Sequence, residues 1–208
     1  MLSEEIELKL NSTEYRSTVL LLGDKGAGKS SLIRSVISSS DPMATASFTG
    51  STRGYCFANT LVDDLQPRLR LVELGSSLGA TLGTTHPLRM HVDAVGLCFD
   101  GRSAHNFYAM WKQWWQVAAS AMKINEPPEA AKDSTPGNNP FFFVVETHVK
   151  QATLFYRQVL RLMFPKDTQF LYFALDANNK QQGAALWNVV CIQADLQRGR
   201  VNETRKRK

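Results

Sequence analysis

One stretch of the sequence constrains this chain more than any other. Gly23-Asp24-Lys25-Gly26-Ala27-Gly28-Lys29-Ser30 fits the pattern GxxxxGK(S/T) at every fixed position. Its setting matters as much as its spelling. Ser17–Leu22 (STVLLL) before it is an apolar run of strand type, and Lys29–Ile37 reads as a helix with Leu32, Ile33, Val36 and Ile37 on one face. Strand, glycine-rich turn and helix in that order make a cradle for phosphate. Glycines let the chain curl until successive N–H groups converge on an anion. The positive end of the following helix favours the same charge. The pattern assigns phosphate binding to the backbone of Asp24, Lys25, Gly26, Ala27, Gly28 and Ser31. Lys29 serves as a point charge at the β- and γ-phosphates, and the Ser30 hydroxyl as a Mg²⁺ ligand.

The rest of the chain alternates strands and helices. Tyr55–Val62 and Leu69–Glu73 read as two strands of an antiparallel hairpin, Val92–Asp100 and Phe141–Glu146 as buried strands, and Gln169–Leu175 as another. Helical periodicity runs over Ala104–Lys123, Ala152–Phe164 and Ala184–Leu196. Asp41–Gly54 and Gly75–Arg89 are loop-like, and Glu126–Pro140 carries four of the eight prolines and reads as a flexible insertion. There is no internal repeat. The alternation predicts an α/β fold, a mostly parallel six-stranded sheet with helices on both faces. Its expected limits are 17–197, after an N-terminal extension (1–16) and before a basic tail (198–208).

A sequence pI near 9.2 and a formal charge of +5 raise the question of nucleic acid. The charge has an address: Arg198–Lys208 holds six basic residues and one acid, while residues 1–197 carry 18 of each sign. A neutral domain with a solvated basic tail does not argue for nucleic acid. A hydrophobic content of 43% excludes a wholly disordered chain, and no apolar run nears the ~20 residues of a membrane helix. Cys56, Cys98 and Cys191 are sparse and form no CxxC pair, which fits reduced thiols in a cytoplasmic protein. The final Arg-Lys-Arg-Lys has no cysteine to prenylate, so no stable membrane anchor is expected. His86, His91, His105 and His148 share no metal-ligand spacing. The aromatic stripe of Phe107, Met110, Trp111, Trp114 and Trp115 reads as a core-facing row, one edge of which could anchor a partner.

By order of elements, from roughly Thr18 to Gln197, the chain resembles the Ras-like small GTPases, which implies a P-loop small G domain binding GTP or GDP with Mg²⁺. The resemblance makes Ser51-Thr52-Arg53-Gly54 the first switch, with Thr52 (or its competitor Thr49) completing the metal site beside Ser30. The second switch, Asp-x-x-Gly followed by a water-positioning Gln in the family, departs from the pattern in Leu71-Val72-Glu73-Leu74-Gly75-Ser76-Ser77. Glu73 stands for the Asp and could reach the cation through a water. Gly75 would have to meet the γ-phosphate, because Ser76 replaces the usual glycine. Ser77 replaces the Gln, so hydrolysis is expected to be weak or absent. The base-recognition box is Glu146-Thr147-His148-Val149-Lys150. Thr147, His148 and Lys150 take its positions, and Lys150 offers only donors where the family has a carboxylate. Ala174 keeps the alanine of the family's last base-side loop.

Among atypical members the chain is similar to the Rab-like GTPases of intraflagellar transport, through Val95–Asp100, Met110-Trp111 and the segment around Gly54. That resemblance implies docking onto the coiled-coil subunits of the intraflagellar transport B particle and a role in building cilia or flagella. Three other readings stand beside it. One is an active P-loop GTPase, ATPase or kinase, for which Glu73 and Arg53 are the nearest catalytic candidates. The others are a vesicle-trafficking Rab and a nucleotide-free scaffold.

Overall fold

A computed structural model of the 208-residue chain describes residues 17–36, 55–61, 68–75, 92–123, 140–149, 155–166 and 168–206. β1 (Ser17–Leu22) leads through the glycine-rich turn into α1 (Lys29–Arg34); β2 (Tyr55–Leu61), β3 (Arg68–Leu74) and β4 (Ala94–Asp100) follow. A continuous helical stretch then comprises α2 (Ala104–Ala109), a π-helical turn (Met110–Trp114) and α3 (Trp115–Lys123). β5 (Phe141–Thr147), α4 (Phe155–Met163), β6 (Leu171–Ala174) and α5 (Lys180–Lys206) complete the order.

The strands lie in the order β2-β3-β1-β4-β5-β6. β3, β1, β4, β5 and β6 run parallel, and β2 pairs antiparallel with β3 from Tyr55 opposite Leu74 to Leu61 opposite Arg68. Strands buried on both faces read as unbroken apolar runs, which is why LLL of β1, AVGLCF of β4 and FFFVV of β5 were visible as strands. Alternate residues feed two cores. On one face Val19, Leu21, Leu69, Leu71, Cys98 and Phe143 pack against Leu32 and Ile33 of α1 and Leu186, Trp187 and Val190 of α5. On the other, Leu20, Leu22, Val95, Leu97, Phe142 and Val144 pack against Met110, Trp114, Val117 and Ala118 and against Leu160 and Phe164. Helices therefore cover both faces, the α/β layering that the alternation implied.

Helix ends differ from the periodicity, for local reasons. α1 stops at Arg34, where Ser35 Oγ donates to Leu32 O at 2.6 Å and competes with the helical ladder; Ile37 lies outside the described residues. α5 begins earlier than Ala184 because Asn179 caps it, its Oδ1 accepting from the N–H groups of Gln181 (3.0 Å) and Gln182 (3.2 Å). It also continues past Leu196 to Lys206, so residues 198–206 of the expected free tail are helical. Gln, Arg, Glu and Lys are good helix formers, and nothing there breaks the helix apart from the mild penalty of Gly199. β4 is trimmed to Ala94–Asp100 and β6 to Leu171–Ala174, and α4 ends at Met163, while 152–154 of its expected range lie outside the described residues.

The tryptophan-rich helix divides into two rows where the sequence suggested one. The i→i+5 bonding of a π-turn widens the helix, and Met110 and Trp114 enter the core while Trp111 and Trp115 remain half-buried. Those two rings stack at 5.9 Å and both meet Phe164.

Gly96 of β4 tests how tightly the sheet is packed. A Cβ there would lie 2.4 Å from Phe143 Cζ and 2.8 Å from Leu21 Cδ2. Gly96→Ala should cost about 1–3 kcal/mol of unfolding free energy by overpacking, measured by guanidinium denaturation; an unchanged midpoint would contradict this packing.

Candidate functional site

The chain reverses its direction of travel across the sheet at β1, whose neighbours are β3 on one side and β4 on the other. In doubly wound sheets the crevice outside the carboxyl end of such a strand is where ligands bind. The glycine-rich turn occupies that place. Gly23 has φ 148° and crosses so near β4 that a Cβ would lie 2.2 Å from Cys98 O. Gly28, at φ 81°, lies against β5, where a Cβ would lie 2.8 Å from Thr147 Cγ2. The curl is thus fixed by two close approaches that only glycine permits.

Inside the curl lies Lys29, 4% exposed. Its Nζ donates to Gly23 O at 2.7 Å and Asp24 O at 3.0 Å, and stands 3.9 Å from Glu73 Oε1. Burial lowers its pKa from the usual 10.5, against the opposing pull of Glu73, Cys98 and Asp24. The Trp114 ring sits 6.0 Å from the ammonium, at the edge of cation–π range. Cys98 beneath the turn is fully buried, and its thiol is pushed up to about 12, chiefly by burial; it is inert as a nucleophile at neutral pH.

Ser30 and Glu73 meet because of strand register. Glu73 is opposite Leu21 and two residues on from Leu71, so it faces the side of the sheet on which α1 packs. Ser30 Oγ donates to its carboxylate, 3.0 Å from Oε1 and 2.8 Å from Oε2. Gly75 follows at the end of β3 and is buried.

The base-side residues gather at the same edge of the sheet. Thr147 ends β5 fully buried, and its Oγ1 lies 3.1 Å from both Ala27 O and Phe99 O, its single proton shared between the two carbonyls. Its hydroxyl thereby ties the turn to β4. His148 follows at φ 60°, a left-handed conformation uncommon outside glycine. Ala174 of β6 pairs with Glu146, and Leu175 N donates to Glu146 O at 3.0 Å. Asp24, Lys25, Gly26, Ala27, Gly28, Lys29, Ser30, Ser31, Gly75, Thr147, His148 and Ala174 therefore all lie along one edge. Thr52, Thr49, Arg53, Ser76, Ser77 and Lys150 lie outside the described residues.

Two groups escaped the sequence reading. Asp100, at the end of β4, is gripped by Arg102 through Nε (3.0 Å) and Nη2 (2.7 Å), which holds its carboxyl below the usual range. The spacing Asp-x-Arg after a strand was its only signal. Glu146 is buried on the face opposite Thr147; burial raises its pKa while the hydrogen bond from the Tyr172 hydroxyl opposes the rise. No local pattern announces that pair, whose members are separated by a helix.

No protein-family model matches the chain, and no curated protein matches it. Among the described residues there is no helix long and apolar enough to cross a membrane, and no group of three His, Cys, Asp or Glu side chains placed to hold a metal ion.

Two outcomes follow. Thr147→Val keeps the shape but removes the donor, and should lower stability by about 1–2 kcal/mol in denaturant titration, whereas Thr147→Ser keeps the donor and should lose only the share of the buried Cγ2 methyl, about 0.5–1.5 kcal/mol. For Lys29, the folded-state pKa lies below the ordinary 10.5, so between those two values the unfolded chain binds more protons. Wild-type stability rises with pH across that window. Lys29→Met lacks this term, so the wild type should gain on the variant as pH climbs towards 10.5 in paired unfolding curves.

Proposed function

We propose that this chain is an atypical Rab-like GTP-binding protein, a small G domain that holds GTP or GDP with Mg²⁺ and acts as a docking module. The observation that carries the reading is the Lys29–Ser30–Glu73 group, set within a glycine-fixed curl at the carboxyl end of β1. Lys29 now satisfies two carbonyls of its own loop and can exchange them for phosphate oxygens, which bind an ammonium more strongly as charged partners. The Ser30 hydroxyl and the Glu73 carboxylate are hard oxygen donors, the set Mg²⁺ prefers, and they fit that ion. When bound, the cation neutralises phosphate charge. Thr52 remains the proposed switch ligand.

Guanine is proposed on the resemblance, with Thr147, His148, Lys150 and Ala174 around the base. Weak or absent hydrolysis follows from Ser77 in the place of the water-positioning Gln and from Glu73, which is engaged by Ser30 and so is a poor base for water. The proposed partners are the coiled-coil subunits of the intraflagellar transport B particle, with the protein at the cilium or flagellum.

The test is chemical. Nucleotide released from the purified protein by denaturation should be GTP or GDP, and bound GTP should persist for hours with Mg²⁺. Lys29→Ala or Ser30→Asn should lower occupancy roughly 10-fold or more, the effect of a lost charge-assisted contact. Adenine nucleotide would sink the guanine assignment, rapid turnover the weak-hydrolysis claim, and unchanged occupancy in both variants the cradle itself.

A further inference from the structure

We infer that Asp176, in the turn after β6, reads the two donor groups on the edge of guanine, the task that Lys150 cannot perform. The inference rests on the nucleotide reading above and names the residue that would select its base. Guanine presents N1–H and its 2-amino group side by side, and one carboxylate accepts from both. Lys150 supplies donors alone. Five described carboxylates lie at the carboxyl ends of the strands. Asp24 belongs to the phosphate turn, and its Oδ1 accepts from Lys25 N at 2.9 Å. Glu73 meets Ser30, both oxygens of Asp100 are taken by Arg102, and Glu146 is buried against the Tyr172 hydroxyl. Asp176 remains.

Its place is fixed from both sides. Leu175 N donates to Glu146 O at 3.0 Å, and Leu175 O accepts from Val149 N at 3.4 Å. The turn after β6 is thereby bonded to the 146–149 segment, the box in which the resemblance sets the base. Leu175 and Ala177 are buried, and Asp176 between them is half-buried. Its N–H donates to Gln182 Oε1 at 2.8 Å, its carbonyl accepts from Asn179 N at 2.9 Å, and its Oδ1 accepts from Asn178 N at 3.0 Å. That last bond uses one of about four lone-pair sites, so the carboxylate is held in place with acceptor capacity left over. The Arg102 pKa is raised, first by its hydrogen bond with Asp100 and in smaller part by the charge of Asp176, so the turns after β4 and β6 converge.

Asp176→Asn separates reading a base from shaping a turn. Asparagine keeps an oxygen for Asn178 N, so the turn survives, but it puts an amide donor where a second acceptor stood. Xanthine has a carbonyl in place of the 2-amino group, and so matches the variant as guanine matches the wild type. Binding of GDP, xanthosine diphosphate and inosine diphosphate to the full-length protein with Mg²⁺ is measured by calorimetry, with thermal melts alongside. The wild type should favour GDP over xanthosine diphosphate, and Asp176→Asn should shift that ratio towards xanthosine diphosphate by about 10-fold or more without lowering the melting temperature. Inosine diphosphate, which lacks the 2-amino group, should bind the wild type about 10-fold or more weakly than GDP. An unshifted ratio in the variant, or equal binding of GDP and inosine diphosphate by the wild type, would overturn the role of Asp176 and leave the nucleotide reading intact. A wild-type protein that takes up no guanine nucleotide sinks both together.

Discussion

The site depends on how closely the 23–28 turn approaches β4 and β5. Gly23 rides over Cys98 O and Gly28 over the Thr147 side chain, at separations that exclude any Cβ. The Thr147 hydroxyl then fastens Ala27 O to the end of β4. These contacts set the curl independently of anything it binds. Lys29 is drawn inside because the curl offers it two carbonyls, and Ser30, in the first turn of α1, lies at the height of Glu73. A preorganised cradle of this kind needs little rearrangement on binding, and the ordering cost is met at folding.

Burying Lys29 works against the fold. Its pKa is lowered although a carboxylate stands nearby, so desolvation outweighs attraction. A core position optimised for stability would hold an apolar side chain, since replacing buried charge with well-packed hydrophobic groups is often neutral or favourable. A buried ammonium facing backbone carbonyls is what a site for polyanions requires. The same logic applies to Glu73, a carboxylate only 3% exposed that meets the Ser30 hydroxyl and lies 3.9 Å from the Lys29 ammonium. Two costly buried charges sharing one crevice are what the proposed anion site would explain.

What could be read from the sequence follows the range of each interaction. β1, β4 and β5 were legible because burial on both faces writes an unbroken apolar run, and Lys29-Ser30 because the cradle is built from contiguous residues. The start of α5 was missed because the Asn179 cap outweighs the periodicity that pointed to Ala184. Its far end was missed because charged helix formers show no apolar stripe. The two rows of the tryptophan helix were hidden because a π-turn changes the spacing itself. Thr147 was placed near the nucleotide, but its bond to Ala27 spans 120 residues and has no local signature. Glu73 was recognised as a position; its reach to Ser30 depends on strand register, which only the folded sheet fixes.

The long α5 is not mechanically separate from the site. Trp187 Nε1 donates to Leu32 O at 2.9 Å, and the same carbonyl accepts from Ser35 Oγ. Gly183 passes so near Ser35 that a Cβ would lie 2.1 Å from its Oγ. The C-terminal end of α1 is therefore clamped to α5, while the N-terminal end of α1 supplies Lys29 and Ser30. α1 is six residues long, so its clamped end lies little more than one turn from Lys29 and Ser30. α5 carries Ile192 and Leu196 exposed one helical turn apart, and its last turns carry most of the surplus positive charge. A partner binding the outer face of α5 would act on a helix that shares a hydrogen bond with the element holding Lys29 and Ser30. If displacing α5 changed affinity at the 23–30 turn, linkage would require occupancy there to change the partner's affinity by the same factor.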